Sequence, residues 1–205
     1  ACAPYRRLNL CNKNMVKMDT NNDSKAKHKL LAEVCMAAKY EGDSIKTHYT
    51  PYQEIYKDTG TASQLCTALA RSFADIGDIV RGKDLYSGNN KEKKQRKQLD
   101  DKLKEIFKKI YEGLSKNGAE ARYQDDDKKN FFKLREDWWD ANRLDVWKAL
   151  TCDDRLAGAH YFRPTCGSNE NTAIQASHKC RCKDDQVPTY FDYVPQFLRW
   201  FEEWA

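Results

Sequence analysis

Apolar residues along the chain recur three and four positions apart, the spacing of one helix face, in five stretches separated by polar, Gly- and Pro-bearing segments. In the first, Leu30, Leu31, Val34 and Ala38 predict a helix from Ser24, a suitable cap, to Tyr40, with Gly42 as its stop. Asp43 to Gly60 is Tyr-rich, contains Pro51 and reads as irregular. Leu65, Leu69, Phe73, Ile76 and Val80 predict a second helix over Ala62–Val80, ended by Gly82. The clearest pattern belongs to a third, Lys91–Lys116, where Leu99, Leu103, Ile106, Phe107, Ile110, Tyr111 and Leu114 oppose a charged face. A turn at Asn117-Gly118 and the acidic run Asp125–Asp127 introduce a fourth helix, extending to about Thr151. Its stripes, Phe131, Leu134, Trp138, Ala141 and Leu144 beside Phe132, Trp139 and Val146, make a face wide enough for burial among several helices. Ala1–Asp23 has no sustained period, and Asp153–Val187 is polar and irregular. A last helix begins near Pro195, tolerated in a first turn, and carries Phe197, Trp200, Phe201 and Trp204. That pattern stops uncapped at Ala205, which predicts a truncation whose missing continuation covers part of the aromatic face.

Composition decides between a folded and a disordered chain. Charged residues make up 33% and the mean hydropathy is −0.91, but aromatics reach 12%, with five Trp and eleven Tyr. Disordered chains are poor in large rings, so a folded, highly charged protein fits better. No stretch of eighteen apolar residues spans a membrane, and the first thirty residues lack a signal-peptide core. Any tether or export signal therefore lies outside this stretch. Eight cysteines, an even number, suit an oxidised, outward-facing protein. The net charge of +5 is concentrated: Lys91–Lys116 holds ten basic and five acidic residues, and the remainder balances at 26 of each.

Most candidate chemistry fails on context. Gly77–Asp84, GDIVRGKD, nearly matches a phosphate loop, but Asp84 stands where a metal-binding hydroxyl belongs, and the stretch ends a helix rather than opening one. His178, Cys180, Cys182 and Cys166 are close enough to suggest zinc. The CxC pair leaves one residue between ligands where zinc sites leave two to four, so two cysteines tied to different disulfide partners is the better account. The four histidines are scattered and no nucleophile motif accompanies them; no catalytic residue, metal or cofactor is expected. Asn22-Asp23-Ser24 is a glycosylation sequon. One binding surface stands out: Lys91, Lys93, Lys94, Arg96 and Lys97, continuing through Lys102, Lys104, Lys108 and Lys109. Two readings stay open for it, a solvated outer face or a polyanion site for a sulfated glycan. Nucleic acid would use the same charges, but an oxidised outer compartment argues against it.

Several longer motifs occur in a fixed order: CAPYRRLNLC (Cys2–Cys11), LLAEVCMAAKYEG (Leu30–Gly42), ARSFADIGDIVRGKDLY (Ala70–Tyr86), LREDWWDANRLDVWKALTC (Leu134–Cys152), YFRPTC (Tyr161–Cys166), KCRC (Lys179–Cys182) and DQVPTYFDYVPQFLRWFEEWA (Asp185–Ala205). Nearly end to end, this is similar to the Duffy-binding-like alpha domain of the malaria-parasite erythrocyte membrane protein one adhesins. The resemblance implies a mainly α, disulfide-stapled helical bundle with long irregular loops. It implies a loop-rich subdomain with one helix over residues 1–60, a helix bundle over 61–205, and a third subdomain beyond. It further implies display on the outer face of the infected red cell as part of a membrane-anchored adhesin, with rosetting or cytoadherence through host receptors or heparan-sulfate-like glycans, antigenic variation, and neighbouring adhesin domains and antibodies as further partners. A scaffold that supports adhesive neighbours without binding is the alternative.

One staple suggests itself. Cys66 lies within the second predicted helix and Cys152 at the end of the fourth, so a Cys66–Cys152 bridge would clamp the two; a free, buried Cys66 is the alternative. Cys2, Cys11, Cys35, Cys166, Cys180 and Cys182 are expected to form disulfides in pairings the sequence leaves open.

Overall fold

The computed structural model describes residues 2–19, 25–55, 62–115, 122–123, 130–167, 169–183 and 186–204. The four long helices follow the apolar periodicity: α3 (Ala26–Ile55), α4 (Ala62–Arg81), α5 (Asn90–Ser115) and α6 (Phe132–Leu150). Two single-turn helices, α1 (Tyr5–Leu8) and α2 (Lys13–Val16), precede them, and α7 (Gln196–Trp204) follows. Between α6 and α7 runs an irregular segment with an antiparallel pair of short strands, β1 (Pro164–Cys166) and β2 (Ile174–Gln175). The expected start of α6 at Asp125–Asp127, the turn at Asn117-Gly118, the sequon and the division near residue 60 lie outside the described residues.

Helix ends show why the chain turns where it does. Asn89 Oδ1 accepts from the backbone amides of Lys91 and Glu92, while Glu92 Oε2 accepts from the Asn89 amide, a reciprocal cap that starts α5. Gly82, at φ +75°, ends α4 in the left-handed conformation that glycine adopts without a Cβ penalty. Buried Arg135 then donates to the C-terminal carbonyls of Ile79 (3.2 Å) and Val80 (2.6 Å), so α6 supplies the cap of α4.

The first helix overruns its expected stop. α3 continues through Gly42 and the segment read as irregular, to Ile55. Gly42 is a site of close approach: a Cβ built there would stand 2.1 Å from the Leu150 carbonyl oxygen of α6. The fully buried positions on either side of it are polar. Glu41 is buried and accepts from Ser72 (2.6 Å) and the Cys11 amide (2.9 Å). Lys46, also buried, pairs with Asp43 (3.2 Å) and Asp153 (3.0 Å). Gly42→Ala is therefore expected to push α3 from α6 and cost about 1–3 kcal/mol. Gly113→Ala, where nothing lies within 4 Å, should be neutral or stabilising. Urea denaturation followed by Trp fluorescence separates the two, and equal midpoints would contradict the close approach.

A single apolar core runs from Leu10 to Val187, centred on α4 and α6. Phe73 packs against Trp139 (5.0 Å between ring centroids) and edge-on against Trp147 (5.2 Å), while Phe107 of α5 meets Trp138 edge-on. α7 buries Gln196, Arg199 and Trp200 and leaves Phe197, Phe201 and Trp204 of its aromatic face exposed.

The cysteine pairing differs from the expected Cys66–Cys152 bridge. Cys66 is joined to Cys180, not Cys152, and Cys166 to Cys182. α4 and α6 run antiparallel, with Val80 beside Arg135 and Gly77 against Trp139, so Cys66 does sit near the level where α6 ends. Cys152, however, has already left the helix and is exposed. The slot is filled from the irregular segment, whose Cys180 carbonyl accepts from buried Trp147 Nε1 at 3.0 Å. Cys2, Cys11 and Cys35, expected in disulfides, are unpaired like Cys152. Each faces different company. Cys11 lies by Glu41 and Ser44, and burial beside Glu41 pushes its thiol up to about 11. Cys35 lies toward Asp145, where burial again raises the thiol to about 11.

Candidate functional site

The nine basic residues singled out on α5 divide once the helix is drawn. At about 100° per residue, Lys93, Lys97, Lys104 and Lys108 fall on one edge of its exposed side and Lys91, Lys102 and Lys109 on the other. Exposed Asp101, Glu105 and Glu112 lie between the edges, together with Lys94. Arg96 leaves the set. Its guanidinium turns back to the carbonyls of Asp84 and Tyr86 and lies 3.7 Å from the Asp84 carboxylate. Lys104 pairs with Asp100 at 2.8 Å and Lys108 with Glu112 at 3.8 Å, both partly or fully exposed, so neither pair holds its lysine strongly. The edge bearing Lys93, Lys97, Lys104 and Lys108 spans fifteen helical steps, about 22 Å at about 1.5 Å per residue.

This edge borders a groove of about 560 Å³ between α2, the turn after α4 and the first half of α5. Leu10, Val16, Leu99 and Leu103 form its floor; Lys13 and Lys17 stand on the α2 wall and Lys93 and Lys97 on the α5 wall. The three carboxylates in the lining are all engaged. Asp84 is buried against Arg7 (2.5 Å) and Gln196 (2.9 Å). The Asn89 amide and the Tyr86 hydroxyl hold Glu92 below its ordinary value. Asp100 is also held low: burial alone would raise it, but Lys104 and Arg135 outweigh that. Lys13, Lys17, Lys93 and Lys97, by contrast, make no ion pair among the described residues. Sequence reasoning missed Lys13 and Lys17 because they sit on a single helical turn too short to show a period; the KNMVK spacing was their only sign.

Beneath the groove the N-terminal segment is pinned by charge. Arg6 reaches Asp75 (2.8 Å) and forks onto Glu203 of α7 (2.9 and 3.0 Å). Arg199 bridges Asp75 (2.8 Å) and Asp78 (2.5 Å). Burial would raise Asp75, yet Arg6 and Arg199 together hold it below its usual range. For Asp78 burial prevails, and the carboxyl is pushed up to about 6 despite Arg199 and Arg81. A second anchor closes the 189–193 turn: Asp192, wholly buried, accepts from Trp139 Nε1 (2.9 Å) and from Arg143 (2.7 and 2.9 Å).

The rejected motifs are accounted for by position. GDIVRGKD ends α4, with Asp84 turned inward to Arg7. Cys166, Cys180 and Cys182 are consumed by disulfides to different partners. Among the described residues no helix is long and apolar enough to cross a membrane.

Long helices α3, α4 and α6, with a cysteine-bearing segment bolted to α4 by one disulfide and closed on itself by a second, define a mainly α, disulfide-clamped domain of the Duffy-binding-like fold. The chain belongs to the Duffy binding domain family, whose model matches residues 1–199. It is similar to the NTS-DBL1(alpha-1) domain of Plasmodium falciparum membrane protein 1 (PfEMP1) from the varO strain, at 44% identity and a TM-score of 0.80 over 100% of this chain and 43% of that one. A varO double domain, NTS-DBL1-alpha with CIDR-gamma, matches at 42% identity and a TM-score of 0.80, over 100% of this chain and 27% of that one. The ICAM-1-binding PfEMP1 IT4var13 DBLbeta domain matches at 31% identity and a TM-score of 0.71, over 97% of this chain and 41% of that one. The chain thus spans less than half the length of these solved relatives. No curated protein matches it.

Proposed function

We propose that this chain is an adhesion module of a variant surface antigen, displayed on the outer face of the infected red cell, and that it engages host-cell receptors bearing sulfated glycans. The observation that carries the glycan reading is the edge of α5 on which Lys93, Lys97, Lys104 and Lys108 follow one another, with Asp100 and Glu112 meeting only Lys104 and Lys108, in exposed pairs that hold them weakly. Sulfates spaced along a linear glycan meet such a line one after another, releasing counterions as they bind. Support for a receptor-binding role comes from two similar DBLbeta structures, one described as ICAM-1-binding and one as bound to ICAM-1. The reading assigns no catalytic step and no cofactor. Neighbouring domains of the same adhesin and antibodies are further partners.

Retention on immobilised heparin across a salt gradient tests it. The chain should elute well above about 0.15 M salt. A variant with Lys93, Lys97, Lys104 and Lys108 changed to Glu should lose that retention, while Lys91→Glu with Lys102→Glu should shift it much less. Weak elution of all three would leave a solvated helix face and favour the scaffold role.

A further inference from the structure

We propose that the groove between α2 and α5 is a docking site for an acidic peptide segment carrying apolar anchor residues, a partner distinct in chemistry from the glycan on the outer edge of α5. Two observations fix the chemistry. The accessible floor is aliphatic: exposed Leu8 and half-buried Val16 line it above the buried Leu10, Leu99 and Leu103, and covering such a surface rewards a ligand that brings apolar side chains of its own. The rim is basic and uncompensated, because Lys13, Lys17, Lys93 and Lys97 lack ion pairs among the described residues while Asp84, Glu92 and Asp100 are engaged.

The layout suits a polypeptide. Lys13 and Lys17, like Lys93 and Lys97, are four residues apart, about 6 Å along a helix, so each wall presents two ammonium groups flanking the floor. An acidic–apolar peptide placed between them lays its hydrophobic side chains on Leu8 and Val16 and turns its carboxylates to both walls. The volume of about 560 Å³ falls within the range of about 300–1,000 Å³ usual for ligand sites. A sulfated glycan, having no aliphatic side chains, satisfies the rim but leaves the floor wet, and Lys104 and Lys108 offer it more charge outside the groove.

The test uses the whole chain and three probes: a fluorescein-labelled decapeptide of alternating Glu and Leu, the same peptide with Ser for Leu, and a heparin hexasaccharide as competitor. Fluorescence anisotropy should show the Glu/Leu peptide binding, with the Glu/Ser peptide weaker by about tenfold or more, the effect of losing two part-buried leucines. Lys13→Glu with Lys17→Glu, both exposed and outside the glycan edge, should weaken the Glu/Leu peptide by about tenfold. Lys97→Glu gives a second reading from the opposite wall, and unchanged thermal unfolding shows that the variants fold. Lys108→Glu, at a residue that neither lines the groove nor touches its carboxylates, should leave peptide affinity unaltered while lowering heparin affinity, which separates this site from the glycan edge. Equal affinity for the two peptides, indifference to both wall variants, or a hexasaccharide that binds in the groove and is lost with Lys13 and Lys17 would overturn the proposal.

Discussion

Arg199→Met is expected to lower the free energy of unfolding by about 3–5 kcal/mol, because it removes the arginine shared by two buried carboxylates. The Arg199 side chain is 1% exposed and serves Asp75, at 0%, and Asp78, at 5%. It also donates to the Val194 carbonyl at 2.6 Å, so its loss opens a helix-start acceptor as well. Methionine replaces much of the volume but none of the charge. Asp75 keeps Arg6 and Asp78 keeps Arg81, which sets the loss below that of two orphaned ions. The effect should depend on pH. Burial already raises Asp78 to about 6 in the folded chain, so its protonation favours folding below the unfolded value near 4, and that contribution is lost as pH rises through 6. Without Arg199 the carboxyl rises further. Chemical denaturation followed by Trp fluorescence should therefore show a larger deficit at pH 8 than at pH 5. A deficit under about 1 kcal/mol at both would mean the ion pairs are not formed in solution.

Removing the long-range bridge should have a comparable effect. Cys66 and Cys180 stand 114 residues apart, and closing such a loop is worth about 4–5 kcal/mol in the chain-entropy model, with measured losses of about 2–5 kcal/mol for native bridges. Cys66→Ala with Cys180→Ala is expected to fall in that range. Cys166→Ala with Cys182→Ala, a loop of 16 residues, should cost less, near 3 kcal/mol at most. The exposed Cys152→Ala should stay within about 0.5 kcal/mol. A non-reduced digest gives an independent check, since it should yield one fragment pair joining residues 66 and 180. A pair joining 66 and 152, or a costly Cys152→Ala, would restore the pairing suggested by helix register alone.

What was legible in the sequence was whatever expresses itself as apolar spacing. α4 and α5 were placed to within a residue because their inward faces are aliphatic and their ends carry Gly82 and the Asn89–Glu92 cap. α3 was cut short because, past Ala38, its inward positions are Glu41, Gly42 and Lys46, satisfied by hydrogen bonds, close backbone approach and ion pairs. In α6 the buried set includes Arg135 and Asn142 and omits Ala141, so a stripe counted on apolar residues ran slightly off axis. The same rule governs the basic surface of α5. The density of lysines on α5 was plain from composition, yet the division into two edges required the interleaved Asp101, Glu105 and Glu112 to be placed around the helix. The second wall of the groove comes from a single turn whose position depends on Arg6 and Arg7 finding carboxylates more than sixty residues away. No local period encodes such a contact.

Arg6 grips Glu203, and Trp204 Nε1 donates to the Cys2 carbonyl at 2.9 Å, so the first and last described turns lie side by side. Tension applied across those two ends would peel them apart one contact at a time instead of shearing many at once. The Arg6 fork and the Trp204 hydrogen bond would carry the first load. Past that point the Cys66–Cys180 bond would shield 114 residues from the pull, withholding roughly 400 Å of extension at about 3.3–3.6 Å per residue. Drawn out from its ends, the chain would give way early at its margins and then stop, with α4 and α6 still packed inside a covalent loop.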